Sequence, residues 1–437
     1  MSSSLPLAGT NPTNASANAA NAATASPAST MPRAPEMPPG VDKHRVTFTG
    51  SGGDYFKLWL SNLLLTIVTL GIYTPWARRR RVQYFFRNTE VGPDPLDFTA
   101  SSRSMVTSFI LVALVYLLIQ VMSSQGLSTA VGGVTLVIAA ATPWLWRSAV
   151  RFRLGNTTWR GLPFVFHATT RETYTAAWPL LGGAALIAVL ALTLSLVVPG
   201  AVPGVQPGAV PAAAVKASAP GPMGWLGGFG VTVLAGLILI RLRFNFLHLR
   251  MTRTSLGGQM GAFKAGFAEF LKVGVICIGI GLLVYAALIG TIGVFSAGLM
   301  GFGRSMDLGG IVVLVIVVVL FLIPLLLIPA SITIAAWEAM VFRTVWSNAG
   351  LSNMARSKCS LNTRAFVWLR AKNVLLTLVT LGLYRPFAAV NEYRMKIDSV
   401  RIYTRGDIDV LAAVLERNNK NGLGDAAADL AGFDLAT

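Results

Sequence analysis

Long apolar runs alternate along the chain with short polar connections. Six runs are long enough to cross the ~30 Å hydrocarbon core of a bilayer, which takes about 20 apolar residues of helix. Charged residues are scarce inside the runs and gather near their ends. We therefore predict six full transmembrane helices in three hairpins, at residues 104–122, 130–148, 177–198, 225–243, 273–299 and 309–330.

Two shorter apolar segments share almost the same sequence. Residues 62–77 read NLLLTIVTLGIYTPWA and residues 373–388 read NVLLTLVTLGLYRPFA, identical at 11 of 16 positions. At about 100° per residue, four polar side chains of each copy fall on one helical face. These stripes are Asn62, Thr66, Thr69 and Tyr73 in the first copy, and Asn373, Thr377, Thr380 and Tyr384 in the second.

Both copies are short for a membrane span. The second has only 12 residues between Lys372 and Arg385, or about 18 Å of helix. We predict short helices at residues 58–76 and 373–387 that either re-enter the membrane or span it. The predicted fold class is an all-α polytopic membrane protein with six to eight spans and small β elements in its cytoplasmic loops.

The β elements are predicted from a spacing that recurs in the polar connections. A Thr followed nine residues later by a Phe-x-small-x unit occurs at Thr89, Thr157 and Thr254. Phe48 begins a similar unit near the start of the chain. We interpret these segments as one small extended element that is reused between hairpins.

Composition supports a membrane protein. The chain is 54% hydrophobic and 12% charged, against about 25% charged in a soluble domain. The net charge of +18 could suggest nucleic acid, but the basic residues stand beside apolar runs, which is the positive-inside pattern. We therefore exclude nucleic acid and expect a multi-pass protein of the bacterial inner membrane.

The two ends of the chain differ from its middle. Residues 1–42 are rich in Ala, Ser, Asn, Thr and Pro, which predicts a disordered tail. Residues 43–405 are predicted to form a membrane domain with internal repeats, and residues 406–437 a C-terminal tail. Two Cys and three scattered His make no metal or catalytic motif. We expect no enzyme activity, no metal and no cofactor.

The Leu-Gly-x-Tyr-x-Pro motif, at residues 70–75 and again at 381–386, carries a family resemblance. Together with the Arg-rich segments that end in Asn-Thr, it resembles the YjgN-like bacterial inner-membrane family over roughly residues 43–405. The second copy departs from the first by Arg385 and Phe387 in place of Thr74 and Trp76. The resemblance implies a location and a kind of fold, and it implies no activity.

Two functions follow from the candidate residues. The stripes could line a pathway, because short interrupted helices in two halves often mark a transporter site; the alternative is contact between helices. This predicts a passive or gated transporter or channel for an unknown solute.

The alternative function is a lipid-binding scaffold or assembly protein that holds anionic lipids on a basic cytoplasmic face, with protein partners unknown. Glu338 is expected at the membrane interface, paired with Arg343. The headgroup candidates are Arg78, Arg79, Arg80, Arg81, Arg151, Arg153, Arg241 and Arg243.

Overall fold

Ten antiparallel strands form a closed barrel in the computed structural model, which describes residues 40–184, 222–302, 309–310 and 323–418. Strands that follow one another along the chain are neighbours in the barrel, and the last strand closes on the first. The strands are β1 (Val41–Phe48), β2 (Thr89–Val91), β3 (Asp94–Phe98), β4 (Thr157–Trp159), β5 (Leu162–Phe166), β6 (Thr254–Leu256), β7 (Gln259–Phe263), β8 (Ala349–Leu351), β9 (Ala355–Cys359) and β10 (Val400–Arg405).

Helices leave the barrel after each odd-numbered strand, and the chain returns at the next strand. Residues 178–184 are also helical. The helices are α1 (Gly52–Val68), α2 (Thr74–Arg87), α3 (Ser102–Ser124), α4 (Ser128–Gly155), α5 (Thr170–Ala176), α6 (Pro222–Thr252), α7 (Phe267–Phe302), α8 (Ile323–Asn348), α9 (Thr363–Val379), α10 (Arg385–Ile397) and α11 (residues 408–418).

The strands that flank each helical excursion pair in one common register. The last residue of the outgoing strand lies opposite the first residue of the returning strand, as Phe48 does with Thr89. The next amide then donates to the carbonyl before the returning strand, as Thr49 N does to Asn88 O at 2.9 Å. The other pairs are Phe98 with Thr157, Phe166 with Thr254, Phe263 with Ala349, and Cys359 with Val400.

Asparagines end three of the described helices that return to the barrel, and at two of them a threonine follows. Asn88, Asn156 and Asn348 each donate from Nδ2 to the carbonyl four residues earlier, at 2.7, 2.7 and 2.9 Å. Thr89 and Thr157 do the same from Oγ1, at 2.7 and 2.8 Å. These side chains satisfy carbonyls that the last helical turn leaves without a partner, so the chain can turn into a strand there.

Helix α11 covers the barrel end that carries the turns between strands. Its Ile408, Leu411, Ala412 and Leu415 are buried, with the spacing of one apolar helical face. They pack against residues of eight strands, including Trp159 on β4. The remaining residues in this cluster are Val91, Leu96, Leu162, Phe164, Leu256, Leu351, Met354, Ala355 and Ile402.

The predicted all-α fold class with six full transmembrane helices is wrong. The architecture is built around a closed ten-stranded antiparallel barrel. Three helices in the described part of the chain are long and apolar enough to cross a membrane, at Met105–Ser124, Ser128–Gly155 and Phe267–Thr291. The barrel escaped prediction because most strands have three or five residues, too few to establish a period of two.

Some predicted segments lie largely or wholly outside the described residues. These are the runs at 177–198 and 309–330 and most of the two tails. The segment 58–76, predicted as one short helix, contains the end of α1, a turn and the start of α2. The segment 373–387 likewise contains the end of α9, a turn and the start of α10.

Candidate functional site

Two helical hairpins carry the duplicated sequence. The first hairpin is α1, the turn at residues 69–73 and α2. The second hairpin is α9, the turn at residues 380–384 and α10. They are neighbours, because α1 packs on α10 with the rings of Phe56 and Phe387 stacked at 5.4 Å.

The Thr-Leu-Gly sequence of each copy makes the turn. Gly71 and Gly382 have φ of 92° and 95°, and Leu70 and Leu381 have φ of 50° and 52°. This left-handed region is easily reached by glycine and is unfavourable for other residues. The Gly71 amide donates to the Thr66 carbonyl at 2.7 Å, which closes the helix as a Schellman motif does.

The stripe threonines bond to the backbone of their own hairpin. Thr66 Oγ1 donates to the Asn62 carbonyl at 2.7 Å. Thr69 Oγ1 donates to the Leu65 carbonyl at 2.7 Å and accepts from the Tyr73 amide at 3.0 Å. Thr377, Thr380 and Tyr384 repeat these three bonds with the same distances. Pro75 and Pro386 then stand in the first turn of the next helix, where a missing N–H costs nothing.

The two stripe asparagines are buried. Asn62 is 7% exposed and Asn373 is 1% exposed. Asn373 Nδ2 donates to Glu392 Oε1 at 3.0 Å and to the Ala388 carbonyl at 3.4 Å. Within the described residues the Oδ1 atom of each asparagine has no donor, so each can accept a further hydrogen bond.

Three charged residues of the second hairpin form a partly buried network with a glutamate of α8. Arg370 and Lys396 both bond to Glu338 of α8. Arg370 Nε also lies 3.0 Å from Glu392 Oε2, close enough for an ion pair although the angle is poor for a hydrogen bond. The expected pairing of Glu338 with Arg343 is therefore replaced by contacts from two other helices.

The first hairpin instead has an open groove of about 540 Å³ between α1 and α2. Three basic side chains line it: Lys57, Arg80 and Arg87. Residues 80, 83, 84 and 87 of α2 follow the spacing of one helical face. The neutral lining residues are Leu58, Ser61, Gln83, Tyr84 and Asn88.

The neutral polar groups of the groove already have partners. Tyr84 Oη donates to the Ser51 carbonyl at 2.6 Å, and burial raises the pKa of this phenol. Gln83 Nε2 donates to the Phe98 carbonyl at 3.1 Å, and Ser61 Oγ to the Leu58 carbonyl at 3.0 Å. A ligand in the groove would therefore meet mainly the cations.

The three cations differ in how far they are neutralised. Arg87 Nε lies 2.8 Å from Asp97 Oδ1, and this hydrogen bond is the main cause that lowers the pKa of Asp97. Lys57 Nζ lies 3.8 Å from Asp54 Oδ1. Arg80 has its guanidinium carbon 5.9 Å from the Tyr73 ring centre and no carboxylate at ion-pair distance among the described residues.

The arginines predicted to lie in loops belong to helices. Arg151 and Arg153 are exposed on α4, and Arg243 is exposed on α6. Arg241 places its guanidinium carbon 4.5 Å from the Phe267 ring centre. In the run of four arginines on α2, Arg79 donates to Ser102 Oγ at 2.7 Å, while Arg78, Arg80 and Arg81 are exposed.

Three arginines gather at the barrel ends of α4 and α6. Arg250, in the last turn of α6, reaches solvent, yet its pKa is lowered first by desolvation and then by Arg153 and Arg243. The ring centres of Trp146 on α4 and Phe246 on α6 are 4.4 Å apart, so the two helices pack against each other there. In the part of the chain that is described, none of the three arginines has a carboxylate partner.

A comparison with known proteins decides the family. A family model described as "Bacterial protein of unknown function (DUF898)" matches residues 43–430. The chain belongs to this family.

Curated relatives of this DUF898 protein are named inner membrane protein YjgN. The relative from Salmonella typhimurium is 32% identical over 151 residues, which cover 34% of this chain and 38% of the relative. The relative from Escherichia coli K12 is 27% identical over 131 residues, which cover 30% and 33%. The match therefore spans only about a third of each relative's length. No solved structure matches the chain.

The relatives confirm the resemblance to the YjgN-like family and the location of this DUF898 protein in the bacterial inner membrane. Its activity is unknown. Among the described residues no group of His, Cys, Asp or Glu is placed to hold a metal ion. A pathway role for the stripes, a lipid role for the arginines and the absence of enzyme activity all stay predictions.

Sequence reasoning missed Lys57, Arg87, Arg370 and Glu392 in this DUF898 protein. The spacing of Arg80, Gln83, Tyr84 and Arg87 could have revealed the basic face of α2. The pairing of Arg370 with Glu338 could not be found in this way, because the two residues are 32 positions apart and lie on different helices.

Proposed function

We propose that this inner-membrane protein binds anionic lipid headgroups with arginines on the helices next to the barrel. The observation that carries the proposal is the group of Arg153, Arg243 and Arg250, three solvent-exposed arginines of α4 and α6 that lack a carboxylate partner among the described residues. The charges of Arg153 and Arg243 repel the charged form of Arg250. A phosphate would relieve this repulsion, since Arg–phosphate hydrogen bonds are strong and often bidentate.

The position of these arginines supports a lipid ligand. Ser128–Gly155 of α4 is apolar enough to cross a membrane, and Arg153 lies at its barrel end. A headgroup bound there would leave its acyl chains beside the apolar part of the helix. Each basic residue near an anionic membrane surface contributes about 1 kcal/mol, so three should change affinity by roughly a hundredfold.

The experiment compares two variants that lose the same charge. In the first, Arg153, Arg243 and Arg250 become Gln. In the control, Lys43, Arg45 and Arg405 become Gln, because these exposed residues lie at the other end of the barrel. Native mass spectrometry of the full chain in neutral detergent then counts bound phosphatidylglycerol at rising salt.

We expect the first variant to bind far less phosphatidylglycerol than the control, and salt to weaken the binding of the unaltered protein. Equal binding by both variants would refute the proposal, provided that both unfold at the temperature of the unaltered protein.

The alternative is a passage for a solute through the membrane. The four threonine hydroxyls of the stripes donate to their own hairpin, and apolar side chains with α11 fill the described barrel end. These features give passage less support than lipid binding. Flux across proteoliposomes that drops after Thr66→Val with Thr377→Val would reverse this preference.

A further inference from the structure

We infer that the groove of the first hairpin is a binding site for a phosphate group, with Arg80 and Lys57 as its main ligands. This inference deepens the proposed function by adding a second, defined site on other helices. It depends on the groove and its charges and not on the arginines of α4 and α6.

The groove has a suitable size and lining. It opens widely to solvent and offers about 540 Å³ of space between α1 and α2. The neutral polar groups described above are held by backbone atoms, which leaves the cations to recognise a ligand. Arg80 is the strongest candidate, since no carboxylate among the described residues neutralises it.

The surface beside the groove favours a phosphate that belongs to a lipid. Arg80 lies against Tyr73, the last residue of the turn, which caps α2. Around that turn Val68, Leu70 and Ile72 are 78%, 93% and 66% exposed. An exposed apolar patch of this kind marks an interaction surface. A headgroup on Arg80 would place its acyl chains along this patch.

The second hairpin shows that the basic groove is not a by-product of the shared turn. With Asn62 aligned on Asn373, Lys57 corresponds to Trp368, Arg80 to Asn391 and Arg87 to Asp398. The second hairpin thus has the same turn without the three cations. It therefore offers a control surface within the same molecule.

The experiment uses the full chain in neutral detergent micelles. The test variant carries Lys57→Gln and Arg80→Gln. The control carries Arg364→Gln and Lys372→Gln, which removes two exposed cations from α9 of the second hairpin. Calorimetric titrations use short-chain phosphatidylglycerol, glycerol phosphate, and short-chain phosphatidylcholine as the zwitterionic reference.

We expect the test variant to bind phosphatidylglycerol about thirtyfold more weakly than the control. If glycerol phosphate loses affinity by the same factor, the groove recognises a phosphate group from soluble compounds as well. If only phosphatidylglycerol is affected, the ligand is a lipid. Both results support the site.

Equal affinity of the test and control variants for both phosphatidylglycerol and glycerol phosphate would overturn the inference. The proposed function would survive that result if the Arg153, Arg243 and Arg250 variant still lost phosphatidylglycerol. Thermal unfolding of each variant separates lost binding from lost structure.

Discussion

The two hairpins share a backbone and differ in their charges. Both have the same turn, the same threonine bonds and a buried asparagine at the same position. Charged residues diverge: Arg370 and Glu392 of the second hairpin correspond to Trp59 and Arg81 of the first. The Leu-Gly-x-Tyr-x-Pro motif therefore specifies a turn, and each hairpin acquires its electrostatic character from residues outside the motif.

The two hairpins should differ most in their contribution to stability when the charged network of the second hairpin is broken. Glu392→Ala leaves Arg370 short of one carboxylate and the Asn373 amide short of an acceptor. We expect a loss of about 2 kcal/mol in the free energy of unfolding, less than for a fully buried pair. Arg81→Ala, at the corresponding exposed position, should cost under about 0.5 kcal/mol. Equal losses in denaturant unfolding would show that the network adds nothing.

The two turns should respond alike to substitution of their glycines. Gly71→Ala and Gly382→Ala each force a Cβ atom into the left-handed region, although the space around both is open. We expect each to cost about 1–2 kcal/mol. Thermal unfolding of the two single variants tests this, and a difference above about 1 kcal/mol would mean that the turns are not equivalent.

The threonines that hold the turns should have a smaller effect. Thr69→Val and Thr380→Val keep the side-chain shape but leave the amides of Tyr73 and Tyr384 without an acceptor. Each should lower the free energy of unfolding by about 1 kcal/mol. Amide hydrogen exchange at the two tyrosines should also speed up. Unchanged exchange would contradict the capping role of these hydroxyls.

The smallest expected effect is on stability at low pH, through the Arg87–Asp97 pair of the first hairpin. The pKa of Asp97 is lowered by Arg87 in the folded state. The pair therefore stabilises the protein at pH values above the unfolded pKa of about 3.9. This stabilisation is lost as the pH falls through the pKa of Asp97 in the folded state. Because both side chains are largely exposed, the contribution should stay under about 0.5 kcal/mol. Asp97→Asn should be slightly less stable at pH 6 and equal at pH 2. A difference in stability that persists at pH 2 would mean that the substitution acts through something other than the Arg87–Asp97 pair.

The sequence predicted the features that depend on neighbouring residues. Repeated polar spacing predicted Thr66 and Thr69 on one helical face, but α1 ends at Val68 and Thr69 caps it. The Leu-Gly-x-Tyr-x-Pro motif pointed to a family that is confirmed. Long apolar runs correctly marked the described parts of α3, α4 and α7. Local periodicity is sufficient for such elements.

The barrel and the networks depend on residues that are far apart along the chain. A strand such as β2 has three residues and no pattern of its own, and only its partners β1 and β3 make it a strand. Likewise, Glu338 was expected to pair with Arg343 because the two residues are close in sequence. Folding brought Arg370 and Lys396 closer.

Closure of the barrel has a consequence for biosynthesis. The contact between His44 and Thr404 joins residues 360 positions apart, so the first strand must wait for nearly the whole described chain to be made. Contacts of such long separation form slowly, whereas the apolar helices α3, α4 and α7 can enter the membrane as they leave the ribosome. We expect the nascent protein to be anchored in the bilayer before its barrel exists. A chain cut short before β10 would stay in the membrane with an open sheet, exposed to proteases along the free edges of β1 and β9.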